Sequence, residues 1–347
     1  MVLHLQSSRR VLMATLGAAV ALSLSLSGCA SSAPSPTAPS PGASGAKQYT
    51  IGVAVIASFP ALQDVQTGFE DVLKQNNINY TLISKNAQGD QSNAATIASS
   101  FAANKNIDLI LAISTPIALS MATAVKDRPI LFSAVTDPVA AKLVPSWTQA
   151  GANITGTSDL NPDAKPVSLV QEAMPNVKTI GVLYSSSEPN SISQLDAYKT
   201  EAAQIGVTLK PQAIQSVADI PAALASLSGV DAILIPTDNT VVASIATVIG
   251  FGQQNKIPVF CADTSTVPLG TVATRGLSYL DLGKATGQMA VSILRDHVAI
   301  NTIAPVATTS TELLVNPDAA AKYGLTLPQS FVSQGQIVTT QTPSPQA

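Results

Sequence analysis

Three carboxylates, Asp137, Glu188 and Asp238, follow apolar runs of the chain and stand among hydroxyl and amide side chains. Asp238 is the clearest case. The stretch Asp231-Ala-Ile-Leu-Ile-Pro-Thr-Asp-Asn-Thr240 opens as a run of β-branched residues, the pattern of a strand buried on both faces, and turns polar at Thr237. A helical pattern follows at once, with Val242, Ile245, Ala246 and Ile249 spaced for one face. The same exit recurs at Ser58-Phe59-Pro60, Ser114-Thr115-Pro116, Thr136-Asp137-Pro138, Glu188-Pro-Asn190-Ser191 and Asp263-Thr264-Ser265. Small polar groups at strand ends, beside helix N-termini with free N–H groups, are what open α/β sheets use to bind ligands. Each has a plainer reading beside it: Asn239 and Thr240 as helix caps, the prolines as helix starters, Asp137 as a turn residue. Asp238 resists the plain reading, because an unpaired carboxylate at a buried strand end is costly.

Carboxylates converging on one cleft would also suit acid–base catalysis. The rest of an active site is missing from the sequence: there is no G-x-S-x-G elbow, and the histidines are His4, near the start, and His297, at a helix end. Cys29 and Cys261 have no partners at metal-ligand spacing, so neither metal nor other cofactor is expected. No GxxxxGK[ST] loop is present for ATP. A net charge of −3 and 4% aromatic residues leave no basic patch or stacking platform for nucleic acid.

The exits require strands and helices in alternation, and the sequence supplies them twice. Strands are expected at 51–56, 79–84, 108–113, 129–134 and 153–156, with helices from Pro60, from about Asp90 and from Ser114. Alternation restarts with a helix over about 161–174 and strands at 179–184, 207–211, 231–236, 256–261 and 271–274, ending in a helix over 280–296 that turns Leu282, Ala285, Met289 and Ile293 inward. Two such runs imply an α/β chain with two doubly wound parallel-sheet lobes joined by a hinge, their polar exits facing one cleft.

Residues 1–28 read as an export signal: Arg9-Arg10, then a short apolar run to Leu26. Leu26-Ser-Gly-Cys29 resembles the bacterial lipoprotein signal, which implies cleavage before Cys29, lipid on its sulfur and anchoring to the outer face of the cell membrane. Residues 29–48, rich in Ser, Pro and Ala, are expected to form a disordered tether, and 331–347 a loose tail. Cys261 is left as a lone, buried thiol.

Ile51-Gly-Val…Pro60-Ala-Leu, Asn86-Ala-Gln-Gly-Asp90, Ala134-Val-Thr-Asp-Pro138, Asn153-Ile-Thr-Gly-Thr-Ser-Asp159, Glu188-Pro-Asn-Ser191 and Pro236-Thr-Asp-Asn-Thr240 occur in that order. Together they resemble the type 1 periplasmic-binding-protein family of ABC-importer receptors, in its tryptophan/tyrosine-binding group, over about residues 49–330. The resemblance implies three crossovers, placed near Gly156, Thr274 and Asn301, with lobe 1 at 49–156 plus 275–301 and lobe 2 at 157–274 plus 302–330. It implies a protein that closes on a small solute, best an aromatic amino acid, and delivers it to a permease driven by a separate ATPase subunit; a monomer is expected because each half covers its own sheet. An amino acid's carboxylate would meet Ser114 and Thr115, with Ser58 and Ala61 nearby. Its ammonium would meet Asp238, flanked by Thr237 and Asn239, with Glu188 and Asp137 as alternatives and Asn190 alongside. Phe59 and Tyr184 would wall an aromatic side chain. A sensor without transport, or a receptor for a nucleoside or sugar, remains an alternative.

Overall fold

The computed structural model describes residues 47–161, 163–307 and 310–341. The first half runs β1 (Tyr49–Val55), α1 (Pro60–Gln75), β2 (Tyr80–Asn86), α2 (Gln91–Ala103), β3 (Leu109–Ile113), α3 (Thr115–Ala124), β4 (Ile130–Ser133) and β5 (Ile154–Ser158). The second runs α4 (Pro166–Ala173), β6 (Thr179–Ser185), α5 (Pro189–Ile205), β7 (Thr208–Ile214), α6 (Ile220–Ser226), β8 (Ala232–Ile235), α7 (Asn239–Val242), α8 (Ile245–Asn255) and β9 (Val259–Cys261). The last part contains β10 (Ala273–Gly276), α9 (Tyr279–Leu294), β11 (Val306–Ala307), β12 (Glu312–Val315), α10 (Pro317–Tyr323), α11 (Gln329–Val332) and β13 (Gln336–Ile337).

Two parallel sheets result. One has the order β2-β1-β3-β4-β5-β11, the other β7-β6-β8-β9. Both start from the doubly wound order, in which connections leave in opposite directions from a central pair of strands and open a crevice at their carboxyl ends. The central pairs are β1/β3 and β6/β8, so the crevices fall at the expected polar exits. The Leu-Ile-Leu-Ala-Ile run of β3 is buried throughout, as helices on both faces demand. A third sheet, β10-β12-β13, is tied to β9 by the Val272 N–H on the Val259 carbonyl at 2.8 Å.

The chain leaves the six-stranded sheet after β5, returns as α9 and leaves again between β11 and β12. α9 packs on α1 backbone to backbone, because both helices present glycine there. A Cβ on Gly68 would stand 2.1 Å from the Leu280 carbonyl oxygen, and one on Gly283 2.1 Å from that of Val65. This close approach shifts the buried face of α9 onto Gly283, Thr286, Gly287 and Ala290, and leaves the expected Ala285 and Ile293 only half-buried.

Three other expectations change. The helix placed over 161–174 starts at Pro166. The single helix foreseen after Asp238 is two, broken at Ser244 (φ −117°, ψ 21°), and the break rotates Ala246 into solvent and Val248 into the core. The segment from Phe331 is not loose as far as Gln341. Phe331 is buried, β13 pairs with β12, and the Gln341 N–H reaches the Pro268 carbonyl. The signal, Cys29 and the tether as far as residue 46 lie outside the described residues. Among those described, no helix is long and apolar enough to cross a membrane.

Candidate ligand site

The polar exits of the two sheets come together. Thr136 after β4 and Thr237 after β8 place their hydroxyl oxygens 3.2 Å apart, and Gln91 Nε2 donates to the Ser187 carbonyl at 2.5 Å. Between the halves lies a cavity of about 390 Å³, whose walls include Tyr198 of α5, Tyr279 of α9, Leu160, Pro166 and Leu277. That volume suits a small organic ligand. Beside it is a hollow of about 10 Å³, lined by Phe59, Thr136, Asp159, Asn190, Asp238 and Asp263 among others. The hollow has room for one water-sized group. Thr136, Asp159, Thr237 and Tyr279 line both spaces.

Asp238 is fully buried, and its carboxylate is occupied. Oδ2 accepts from the Ser185 N–H at 2.5 Å and the Ser191 hydroxyl at 2.6 Å, while Oδ1 caps α7 through the Val241 N–H at 2.9 Å. Glu188 is occupied too. Its oxygens take the N–H groups of Asn239 and Thr240, the Asn239 and Asn190 amides and the Thr240 hydroxyl. Burial, and then the neighbouring Glu188 charge, push the Asp238 carboxyl up to about 7 against three donors. Asp137 holds its own turn, accepting from the Val139 and Ala140 N–H groups.

Asp159, at the end of β5, differs. It is 8% exposed, its Oδ2 accepts from the Tyr279 hydroxyl at 3.2 Å, and its Oδ1 is buried without a partner. Burial raises its carboxyl, opposed by the hydroxyls of Thr136 and Tyr279. Asn190 brings a second free acceptor: its Nδ2 is spent on the Thr237 carbonyl and Glu188, and its Oδ1 has no partner. The other buried unpartnered side-chain oxygens among the described residues are Ser114 Oγ and Ser265 Oγ, both also at strand exits.

The remaining expected residues scatter. Phe59 lines the hollow, while Tyr184 is half-buried against the core and lines neither space. Ser58 is exposed and accepts from the Asn86 amide. Ala61 is wholly buried in α1. Ser114 is buried at a left-handed φ of 88° ahead of α3, and Thr115 with Asp137 faces Pro189, Asn190 and Ser193 across a separate space of about 40 Å³. Thr237 and Asn239 reach the hollow. Asp159, Tyr198, Tyr279 and Gln194 escaped the sequence reading, although Asp159 closes one of the motifs quoted above.

The charge balance is one-sided. Asp159, Glu188, Asp238 and Asp263 are all buried, and burial lifts Asp263 to about 6. The one buried Lys, Arg or His among the described residues is Arg128, which caps the C-terminal end of α2 through the Phe101, Ala102 and Asn104 carbonyls, at the opposite edge of its sheet. At the cavity, Arg275 is turned to Glu172 at 3.3 Å, and Glu201 caps α4 through the Val167 and Ser168 N–H groups. No group of three or more His, Cys, Asp or Glu side chains suited to a metal occurs among the described residues.

Two doubly wound lobes enclosing a buried acidic cleft define a solute-binding protein. Residues 50–338 match the family of ABC transporter substrate binding proteins, and the chain belongs to that family, whose members work outside the cytoplasm. It is 35% identical over 277 residues to the tyrosine-binding protein of Clostridioides difficile (strain R20291), covering 78% of this chain and 80% of that one. Among solved structures it is similar to the ABC domain from Streptococcus pneumonia in complex with L-Trp (TM-score 0.80, 35% identity, 84% of this chain and all of that one). It is also similar to the ligand-free, open structure of a substrate binding protein with adhesive properties from Clostridium difficile (TM-score 0.62, 37% identity, 84% and all).

Proposed function

We propose that the protein captures an aromatic amino acid, tyrosine or tryptophan foremost, and hands it to the permease of an ABC importer. The observation that carries this reading is the pair of free acceptors, Asp159 Oδ1 and Asn190 Oδ1, on residues that line a hollow sharing four lining residues with a tyrosine-walled cavity. Two acceptors without donors suit an ammonium group, which brings three N–H donors and a positive charge to a site with four buried carboxylates. Tyr198 and Tyr279 offer faces and edges to an aromatic ring in the larger space. The ammonium partner is thus Asp159 rather than Asp238. The names of the relatives agree with this ligand class. At nearly equal identity the chain lies nearer the tryptophan complex than the open, ligand-free structure, which supports a closed arrangement of the lobes.

The lobes follow the crossings of the chain. Lobe 1 holds the six-stranded sheet with α9; lobe 2 holds the other two sheets. Closure is a hinge motion at the three crossings. The Leu-Ser-Gly-Cys29 stretch supports a lipid anchor on Cys29, and the covered sheets support a monomer. A thermal-shift panel of the twenty amino acids, nucleosides and sugars tests the ligand class. A ligand at a hundredfold excess over its dissociation constant adds about 2.7 kcal/mol of stability. Stabilisation by tyrosine, tryptophan or phenylalanine is the expected result; stabilisation by a sugar or nucleoside alone would overturn the ammonium assignment.

A further inference from the structure

Helix α5 lays one face along the whole ligand site. Asn190 lines the hollow, while Gln194, Tyr198 and Glu201, at successive turns, line the cavity. Gln194 marks the neck between the two spaces, because it holds Thr237, which lines both. Its Nε2 donates to the Thr237 hydroxyl at 2.6 Å, and its Oε1 accepts from the Thr237 N–H at 3.1 Å and the Tyr198 hydroxyl at 3.2 Å. Glu201 lies seven residues further on, about 10 Å along the helix axis. Two carboxylates line the cavity: Asp159, shared with the hollow, and Glu201, which is not. Tyr198 and Tyr279 direct their hydroxyls back to the neck, onto Gln194 and Asp159. Lys165 and Arg275, the cationic residues of the wall, carry donors alone. Glu201 is thus the charged acceptor toward the mouth, where the same helix face ends in the exposed Gln204.

The geometry points to Glu201 as a specificity-determining residue, the acceptor for a hydrogen-bond donor on the edge of the ligand's ring. The inference rests on the aromatic-amino-acid reading of this site. With the ammonium at Asp159 and the ring against Tyr198, a phenolic O–H or an indole N–H points toward the level of Glu201. Phenylalanine brings only C–H groups there. The carboxylate is already fixed in place, its Oε1 accepting from the Ser168 N–H at 2.8 Å and its Oε2 from the Val167 N–H at 3.2 Å. Capping α4 in this way uses two of the roughly four acceptor positions that a carboxylate offers. The others meet a ring donor with no rearrangement of the side chain. A site that offers a fixed acceptor to a ligand's O–H or N–H discriminates against the analogue that lacks it. Glu201 is half-buried rather than sealed, which sets the preference at about tenfold, the low end for a bond to a charged group.

The test is calorimetric affinity for L-tyrosine, L-tryptophan, L-phenylalanine and 4-fluoro-L-phenylalanine, which fills the para position without a donor. Wild type should bind tyrosine and tryptophan about tenfold more tightly than the two phenylalanines. Glu201→Gln should narrow that ratio to about threefold or less, by weakening tyrosine and tryptophan while the phenylalanines hold their affinity. Glu201→Asp, which keeps the charge and withdraws it by one methylene, should narrow it too and serves if the glutamine variant does not fold. A uniform loss across all four ligands would show Glu201 to be a cap of α4 and nothing more, and would overturn the inference. So would a wild-type protein that binds phenylalanine as tightly as tyrosine, which leaves the aromatic reading standing. A wild type that binds none of the four brings down that reading and this inference together.

Discussion

Asp238 and Glu188 grip one short helix from two sides: Oδ1 of Asp238 takes the Val241 N–H at 2.9 Å, and Oε1 of Glu188 takes that of Thr240, also at 2.9 Å. Asp238 also fastens β8 to the β6 exit through the Ser185 N–H. Asp238→Ala would leave three buried donors unpaired and remove a cap. The expected loss is about 3 kcal/mol of unfolding free energy in urea titration. A variant of wild-type stability that binds no ligand would return Asp238 to the cleft.

Asp159→Asn should behave the opposite way. It keeps the Tyr279 contact and removes the charge facing the ligand, so melting should change little. Affinity for tyrosine or tryptophan should fall about a hundredfold, from the roughly 3 kcal/mol of a buried ion pair losing one partner. Calorimetry beside circular dichroism checks both halves.

Burial raises the carboxyl pKa values of Asp238 and Asp263 to about 7 and about 6, from an ordinary value of 3.8 for each. The folded protein therefore holds protons that the unfolded chain has released between pH 3.8 and 7. Stability contributed by these groups is complete below pH 3.8 and is lost as pH rises through the folded values. Ligand-free protein should melt at a higher temperature at pH 5.5 than at pH 7.5, and Asp238→Asn should flatten the difference. Ligand affinity should weaken as acid protonates Asp159, whose carboxyl burial raises, because the neutral form no longer pairs with an ammonium.

The glycine seam between α1 and α9 predicts a fold-level failure. Gly283→Val would put a Cβ 2.1 Å from the Val65 carbonyl oxygen and cost about 2 kcal/mol or more, as overpacking does. Chemical denaturation of that variant, with Gly250→Val as the comparison at an open position, measures it.

Cys261 is wholly buried, its sulfur near the Pro236 carbonyl, and burial pushes the thiol far above its ordinary value. A thiol reagent should leave it untouched in the folded protein and label it fully in denaturant. Rapid labelling under native conditions would refute that burial.

The alternation of strands and helices was plain in the sequence because each strand buried on both faces is a run of apolar residues, as in 109–113 and 232–235. The roles of the carboxylates were not. Asp238 and Asp159 both follow strands, and only the fold shows that Ser185 and Ser191, some fifty residues away, fill the first. Tyr198 and Tyr279 hid for another reason: on their helices they read as ordinary apolar-face residues, and nothing local says that those faces meet across a cavity. The break at Ser244 escaped notice because Val242, Ile245 and Ile249 satisfy helical spacing on either side of it.

No described Lys, Arg or His is buried among the four acids, and on the proposed reading this gives the protein a way to announce its own occupancy. A vacant molecule that closed would confine like charges with nothing of opposite sign between them, and in a low-dielectric interior that repulsion is weakly screened. A cation arriving with the solute removes the opposition. A transporter that engages only the shut outline of the receptor therefore meets loaded molecules, and inspects the cargo without touching it.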